Sequence, residues 1–473
     1  MKQPSSKSEG SSGHAGLLGP LFVSPDTERE LSDEALLRAM LDAESALAQA
    51  ESAAGVIPAE AASAIAATCE RSAADGGVID VDRIGVEAQA SGNPVVPLVR
   101  ALAAELPDRA RPWVHYGTTS QDILDTALML VTRRFGRGLL RLAADATREC
   151  AQLVDRHRDT AMAARTLGQQ AGFTTFGLKA AGWLASLDDA VARLHDVLYH
   201  RLAVQLGGAA GNLGVLGDAG PAVLDEFAAL LELDAPVVPW HTDRQRILDI
   251  ACAAAALIAA AGKLAVDVER LAQTEIAEVS EGSIGSGGER HGGSSALPHK
   301  HNAVDAVLIR SAAFRAPGLL ATMFTAAAQH ENERAAGAWH AEWQPLRELL
   351  SIAGGCLART GKLLSGLEVH AQRMRENLDA SQGLLFAEHV AARLMPALGR
   401  RNAQTLVADC CEKAVKTGVP LHDLMASNAE VAGYFSAAQL DELFDAATAL
   451  RAVGPLIDRA LAAHVLHGEI GQR

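Results

Sequence analysis

Apolar residues recur at the spacing of α-helices along most of this chain, and the alternation typical of β-strands is nearly absent. After Ser32, five apolar residues are separated by three or four positions: Leu36, Met40, Ala43, Leu47 and Ala50. This spacing predicts a helix that begins after Ser32 and ends before Gly55. It leaves Arg38, Asp42 and Glu51 on the other faces of that helix.

A second apolar stretch predicts a long helix from Leu257 to about Glu281, interrupted only by Gly262. The most apolar segment, 250–262, is shorter than the roughly 20 residues that cross a bilayer, so we expect a buried helix. Hydrophobic residues make up 49% of the chain but aromatic residues only 4%, so small aliphatic side chains dominate and favour close helix packing. These patterns predict an all-α fold.

Clusters of Gly, Pro and Ser divide the chain, and we place domain boundaries near residues 112 and 365. They give an N-terminal helical domain at 17–112, a central domain of long helices at 113–365 and a C-terminal helical domain at 366–473. Residues 1–16 are polar and rich in Ser and Gly, which indicates a disordered tail without the apolar core of a signal peptide. We therefore expect a cytoplasmic protein.

The net charge of −15 argues against nucleic acid or an anionic membrane as a partner. An anionic substrate would then need cations placed locally in its site. The six cysteines show no zinc-type spacing and are expected to be reduced, mostly core residues. The sixteen histidines show no metal-binding motif either, so we infer no metal and no cofactor.

The most informative segment for chemistry is 287–302, which reads GGERHGGSSALPHKHN. A loop this rich in glycine is flexible, and its backbone N–H groups can approach an anion closely. Ser294, Lys300 and Asn302 place a potential base, a cation and an amide donor within nine residues. Spacing alone is equally compatible with a solvated surface loop.

This segment resembles the G-S-S-x-M-P-x-K-x-N-P signature of the fumarase/aspartase superfamily. Residues 293–303 match it except for Leu297 in place of Met and Ala303 in place of the final Pro. Further segments resemble the superfamily branch that contains 3-carboxy-cis,cis-muconate cycloisomerase. They are HYGTTSQDILDT at 115–126, RTLGQQA at 165–171, QLGGAAG at 205–211, WHTDR at 240–244, QTE at 273–275 and WHAEW at 339–343.

The resemblance implies three helical domains whose five long central helices form a twenty-helix core in a homotetramer. It also implies active sites built from three subunits, so a monomer is expected to be inactive. The shared reaction removes a proton next to a carboxylate and expels a group from the neighbouring carbon. The implied partner is thus a small anionic di- or tricarboxylate substrate.

By position in the motif, Ser294 is the expected base, while Lys300 and Asn302 are expected to hold the carboxylate. A serine becomes a strong enough base only where N–H donors and a cation stabilise its alkoxide. His115 is expected to orient an acid or to donate a hydrogen bond.

Four further residues carry hydroxyl or amide donors for the other carboxylate or the leaving group: Thr119, Ser120, Thr166 and Gln169. Taken singly, each of these residues is an ordinary solvent or helix-end contact. Only its place in the motif makes it a candidate for substrate binding. Arg244 and Arg334 are candidate carboxylate clamps, because a guanidinium can grip a carboxylate in two places. Their alternative role is in surface or inter-subunit ion pairs.

Leu167 stands where fumarase-type members have a histidine that helps to protonate the leaving group. A leaving group that departs as a stable anion needs no such acid, and nitrite is one. We therefore expect β-elimination from a 2-substituted succinate to give fumarate, with nitrosuccinate as the first candidate substrate. The alternatives are lactone formation from 3-carboxy-cis,cis-muconate and a non-catalytic relative of the lens-crystallin type.

Overall fold

The computed structural model describes residues 16–74, 77–282 and 292–470. Helices dominate this part of the chain, which confirms the all-α prediction. The first helices are α1 (Pro25–Glu30), α2 (Asp33–Ala53), α3 (Ala59–Ala73), α4 (Val81–Ala88) and α5 (Val95–Glu105). The next are α6 (Ser120–Arg156), α7 (Phe176–His200), α8 (Gly220–Leu231), α9 (Gln245–Leu271), α10 (Val304–Ala327) and α11 (Ala338–Ser365). The last are α12 (Ala371–Asp379), α13 (Ala387–Leu398), α14 (Arg400–Thr417), α15 (Leu421–Ala426), α16 (Ala429–Ala432), α17 (Ala437–Leu443), α18 (Ala446–Ala449) and α19 (Val453–Ile470).

Two small antiparallel sheets accompany the helices. In one, β1 (Ala161–Thr166) pairs with β2 (Gln169–Thr175), and in the other β3 (Val279–Glu281) pairs with β4 (Leu367–Val369). The apolar alternation that would reveal them is weak, since β2 reads QQAGFTT and buries only its last residue. The β1–β2 hairpin carries the segment that begins at Arg165.

The described residues group into two compact units. The first comprises the chain up to residue 143 together with 190–259 and 311–358, and the second comprises 144–189, 260–310 and the chain from 359 onward. Every boundary falls inside one of the long helices α6, α7, α9, α10 and α11. The three domains with limits near residues 112 and 365 remain a prediction.

Helix α2 shows why local spacing predicted a helix but not all of its burial. It begins after Ser32, whose side chain accepts a hydrogen bond from the backbone N–H of Ala35 at 3.1 Å. The helix ends at Ala53, as predicted, and Met40 and Leu47 are buried. Glu51, which the spacing places on another face, is also buried, because α2 packs against both α3 and α8 and buries more than one face.

The predicted helix from Leu257 to Glu281 is part of α9, which ends earlier, at Leu271. The chain turns back because Ala277 has a positive φ of 51° and Glu278 donates its backbone N–H to the carbonyl of Leu271 at 2.9 Å. Helices α9 and α10 are both long and apolar enough to span a membrane by composition alone. In α9, 67% of the most apolar 18-residue stretch is buried within the protein, which confirms the buried helix expected there.

The cysteines behave as core residues. All six thiols are free, and four of them are buried: Cys69, Cys150, Cys356 and Cys410. Burial raises the pKa of the Cys69 and Cys150 thiols, so both are neutral at physiological pH.

We predict that Glu51 makes stability decline as pH rises. Burial, reinforced by the negative charge of Glu44, raises the pKa of Glu51 from 4.5 to about 8. Between these two values the folded protein keeps a proton that the unfolded chain has released, so stability is lost at up to ~1.4 kcal/mol per pH unit. Calorimetry should show that Glu51→Gln is more stable than the parent at pH 8 and less sensitive to pH between 5 and 8.

Glu70→Gln is the matched control, because Glu70 is an exposed acid on the neighbouring helix α3. It should keep the pH dependence of the parent. An identical dependence for Glu51→Gln and the parent would contradict the buried, protonated state of Glu51.

Candidate active site

In the first unit, Arg334 joins a hydroxyl to a glycine-rich turn. Its Nη1 donates to Thr119 Oγ1 at 2.7 Å, and its Nη2 donates to the carbonyls of Gly208 at 3.3 Å and Ala209 at 3.1 Å. Its Nε is buried and has no hydrogen-bond partner among the described residues. A half-buried guanidinium with an unused N–H beside a hydroxyl provides the donors that a carboxylate requires.

The carboxylate of Asp122 holds this arrangement together. It accepts five hydrogen bonds, from Thr118 Oγ1 at 3.0 Å, Thr119 N at 3.1 Å, Gly207 N at 3.0 Å, Gly208 N at 2.9 Å and His241 Nε2 at 2.6 Å. Both Asp122 and His241 are buried. Our sequence reasoning missed both residues, although Asp122 lies in the first turn of α6, where a carboxylate is favourable.

Close packing explains the two glycines in this arrangement. A Cβ at Gly207 would lie 2.8 Å from Cε1 of His241, and one at Gly208 would lie 2.9 Å from the carbonyl oxygen of Gly117. Gly208 also has a positive φ of 70°, which favours glycine. The backbone N–H groups can therefore reach Asp122 only if both positions lack a side chain.

Two further predicted residues lie in the same unit. Ser120 begins α6, directly after Thr119. His115 has a positive φ of 59°, and its Nδ1 lies 2.6 Å from Glu44 Oε1. Burial opposes a charge on this ring, but the carboxylate and hydrogen bond of Glu44 outweigh it, so the pKa of His115 is raised. Sequence reasoning missed Glu44, which lies among the apolar residues of α2.

Arg244 does not match the expectation of a substrate clamp. Its guanidinium is fully buried and donates to both oxygens of Asp125, at 2.7 and 3.0 Å, and to Glu342 at 2.8 Å. These carboxylates raise the pKa of Arg244 despite its burial. We correct its role to that of a structural cation, since two buried carboxylates already neutralise it.

In the second unit, Thr166 and Gln169 face each other across the tight turn of the β1–β2 hairpin. Leu167 and Gly168 form that turn with positive φ values of 51° and 83°. The side chain of Leu167 is fully exposed, at 103%. The hairpin is anchored next to its tip, because Arg165, the residue before Thr166, donates to both oxygens of Glu278 at 2.9 and 2.7 Å. The tip thus presents polar and apolar groups outward on a rigid support.

The serine loop also belongs to the second unit, where the structure describes it from Gly292 onward. Ser294 Oγ accepts hydrogen bonds from the backbone N–H groups of Ala296 at 3.3 Å and Leu297 at 3.1 Å. Asn302 donates its backbone N–H and its Nδ2 to the carbonyl of Gly292, at 2.8 and 3.1 Å. Lys300 is exposed. Two N–H donors on the serine oxygen favour its ionised form, which is what a serine base requires. Residues 287–291 of the predicted segment lie outside the described residues.

Comparison with known proteins places these features in a family. The sequence profile described as Lyase matches residues 23–318, and the profile described as Adenylosuccinate lyase C-terminus matches residues 383–460. The chain is 43% identical over 465 residues to nitrosuccinate lyase from Streptomyces davaonensis, with 94% of each chain covered. It is 41% identical over 448 residues to 3-carboxy-cis,cis-muconate cycloisomerase from Bradyrhizobium diazoefficiens, with 94% of this chain and 97% of the relative covered.

A comparison of the backbone fold with solved structures points to the same family. It is similar to the crystal structure of 3-carboxy-cis,cis-muconate lactonizing enzyme from Pseudomonas putida, with a TM-score of 0.87, 35% identity and coverage of 96% of this chain and 99% of that one. These relatives are enzymes, which argues against the non-catalytic alternative. The chain therefore belongs to the fumarase/aspartase superfamily and is an enzyme of its lyase and cycloisomerase type.

Proposed function

We propose that this enzyme eliminates nitrous acid from nitrosuccinate, a 2-substituted succinate, to give fumarate. The observation that favours this reaction over those of fumarase-type members is the apolar, fully exposed Leu167 at the hairpin tip, where those members have a proton-donating histidine. Nitrite leaves as a stable anion and does not require that donor. The identity to nitrosuccinate lyase supports the same substrate.

In the proposed reaction, the alkoxide of Ser294 takes the proton from the carbon next to a carboxylate. The electron pair of that C–H bond forms the new double bond, and the C–N pair leaves with nitrite. The intermediate carries two negative charges on the carboxylate, so the barrier depends on fixed donors near its oxygens. Lys300 supplies a cation there, and Asn302 holds the loop closed through Gly292. No redox change occurs, so the reaction needs no redox cofactor.

The remaining donors are assigned to the second carboxylate and the nitro group. Thr119, Ser120 and Arg334 form one set in the first unit, where the unused Nε of Arg334 is available. Thr166 and Gln169 form another at the hairpin tip. Both sets carry N–H or O–H donors, which suit anionic oxygens.

We also propose that the enzyme is a cytoplasmic homotetramer with active sites shared between three subunits. Support comes from α10, because only 22% of its most apolar 18-residue stretch is buried within one chain. Val307, Phe314 and Phe324 on this helix are 50%, 72% and 49% exposed. An apolar helix face of this size in a water-soluble enzyme requires a partner surface, and further copies of the chain provide one.

A second candidate function is the cycloisomerisation of 3-carboxy-cis,cis-muconate. The 41% identity to one such enzyme and the structural likeness to another favour it. Its leaving group in the reverse direction is a carboxylate, so the leucine at position 167 is compatible with this reaction as well.

We predict that the purified enzyme releases fumarate and nitrite in equal amounts from nitrosuccinate. It should leave the ultraviolet absorbance of 3-carboxy-cis,cis-muconate unchanged. Chromatography of fumarate and a colorimetric nitrite assay measure the first reaction. Loss of the muconate absorbance without nitrite release would instead establish the second candidate function.

Ser294→Ala should lower kcat by about 10²- to 10⁴-fold, because the base is removed. Ser295→Ala is the matched control, since it changes the adjacent, exposed serine of the same loop and should keep kcat within a few-fold of the parent. Initial rates on the same substrate decide the comparison. An active Ser294→Ala variant would exclude Ser294 as the base.

We predict opposite effects for the two arginines. Arg334→Met should raise KM for the dicarboxylate about ten- to a hundredfold, because a charged hydrogen bond to the substrate is lost, and should lower the melting temperature less than Arg244→Met does. Arg244→Met should destabilise the fold by about 3–5 kcal/mol, because Asp125 and Glu342 lose their cation. Steady-state kinetics and calorimetry on both variants test this, and a normal KM for Arg334→Met would remove it from the binding site.

We predict that Phe314→Glu, which places a charge on the exposed face of α10, dissociates the tetramer and abolishes activity together. Light scattering coupled to size exclusion measures the mass of the particle. Val237→Glu is the control at a valine that is 98% exposed and outside this helix, and it should leave the mass unchanged. A fully active monomer would refute the shared active site.

A further inference from the structure

A histidine and a buried carboxylate form a pair between α2 and the segment that precedes α6. His115 Nδ1 lies 2.6 Å from Glu44 Oε1, and the two side chains are 18% and 1% exposed. The other oxygen of Glu44 is buried and has no hydrogen-bond partner among the described residues. His115 also has a φ of 59°, a backbone conformation that is costly for a residue other than glycine. The contact with Glu44 thus fixes a ring whose backbone is already strained.

The charges around this ring come from few groups. Burial disfavours the imidazolium, but Glu44 and, more weakly, Asp122 on α6 outweigh that effect, so the pKa of His115 is raised. Two other titratable groups lie near Glu44 and are neutral. Burial raises the pKa of the Cys69 thiol, and it raises the pKa of Glu51 to about 8. Glu44 is therefore the main source of negative charge at His115.

The pair leaves one ring nitrogen of His115 available. Nδ1 is engaged by Glu44, and Nε2 has no hydrogen bond within the described part of the chain. In the imidazolium, Nε2 carries a proton and is a charged donor. A neutral ring that keeps its proton on Nδ1 for Glu44 would present only a lone pair at Nε2, which repels an anion.

We propose that Glu44 is a positioning residue that keeps His115 protonated and oriented, so that Nε2–H donates a hydrogen bond to the departing group. This inference rests on the proposed function, because it takes His115 as part of the active site. The C–N electron pair leaves with nitrite, and the imidazolium stabilises the negative charge that grows there without giving up its proton. The proton from the neighbouring carbon goes to Ser294.

The test separates the charge of Glu44 from its shape. Glu44→Gln keeps the shape and removes the charge, while Glu44→Asp keeps the charge and shortens the side chain. Glu51→Gln is the matched control, since it changes a second buried acid on the same helix that is already protonated below pH 8. Hydrogen–deuterium exchange at the C2 position of each histidine, followed by mass spectrometry across pH, reports the pKa of His115 in the intact enzyme without any substrate.

We expect Glu44→Gln to lower the pKa of His115 by about one unit or more, and Glu51→Gln to leave it unchanged. The alkaline limb of kcat/KM for nitrosuccinate should move down with it. Each unit corresponds to about a tenfold loss of activity above the pKa, and the loss should be recovered at lower pH. Recovery at low pH is an outcome that a purely structural role of Glu44 does not produce.

An unchanged pKa of His115 in Glu44→Gln would overturn the proposal. A lowered pKa with an unchanged pH profile, or an activity loss equal at every pH, would also overturn it. If Glu44→Gln does not fold, the pKa of His115 and the alkaline limb must move together in Glu44→Asp, and a shift of one without the other would count against the proposal. Absence of turnover by the parent with either substrate would overturn the proposed function, while the exchange data would still decide whether Glu44 charges His115.

Discussion

Five hydrogen bonds to the carboxylate of Asp122 set the geometry of the first unit around the start of α6. A buried carboxylate is costly unless donors surround it, so none of these groups can move independently. The same carboxylate fixes the turn that carries Thr119 and the glycine turn that Arg334 contacts. Asp122 thus defines the position of Arg334 through Thr119 and Gly208, to which both residues are hydrogen-bonded.

A second buried cluster repeats this principle with a cation at its centre. Arg244 lies between Asp125 and Glu342, and Trp339 Nε1 also donates to Asp125 at 3.0 Å. Such clusters contribute little net stability, because burying charges costs nearly as much as pairing them returns. They do lower the stability of every alternative arrangement in which one charged partner is missing. In this enzyme, buried charges specify which segments meet, while the Ala- and Leu-rich helices supply the hydrophobic stabilisation.

Local pattern predicted the features that depend on neighbouring residues. The start of α2 after Ser32 follows from a side-chain cap three residues away, and the serine loop is expected from its motif. The burial of Glu51 and the end of α9 depend on what packs against them, which spacing does not reveal. Glu44 and His115 are 71 residues apart, and Arg244 and Asp125 are 119 apart. A sequence gives no sign that such residues meet, so Arg244 was assigned to the substrate and Glu44 was overlooked.

The hairpin tip at Leu167 has a consequence for how such enzymes diverge. Its side chain is fully exposed in the described part of the subunit, so exchanging it costs the fold little, by about 0.5 kcal/mol or less. The ion pair between Arg165 and Glu278 holds the hairpin two residues before Leu167, whatever residue occupies the tip. A single substitution at position 167 can therefore arise with little loss of stability. Under the proposed function, a change at position 167 would alter the leaving-group chemistry while the helices stay as they are.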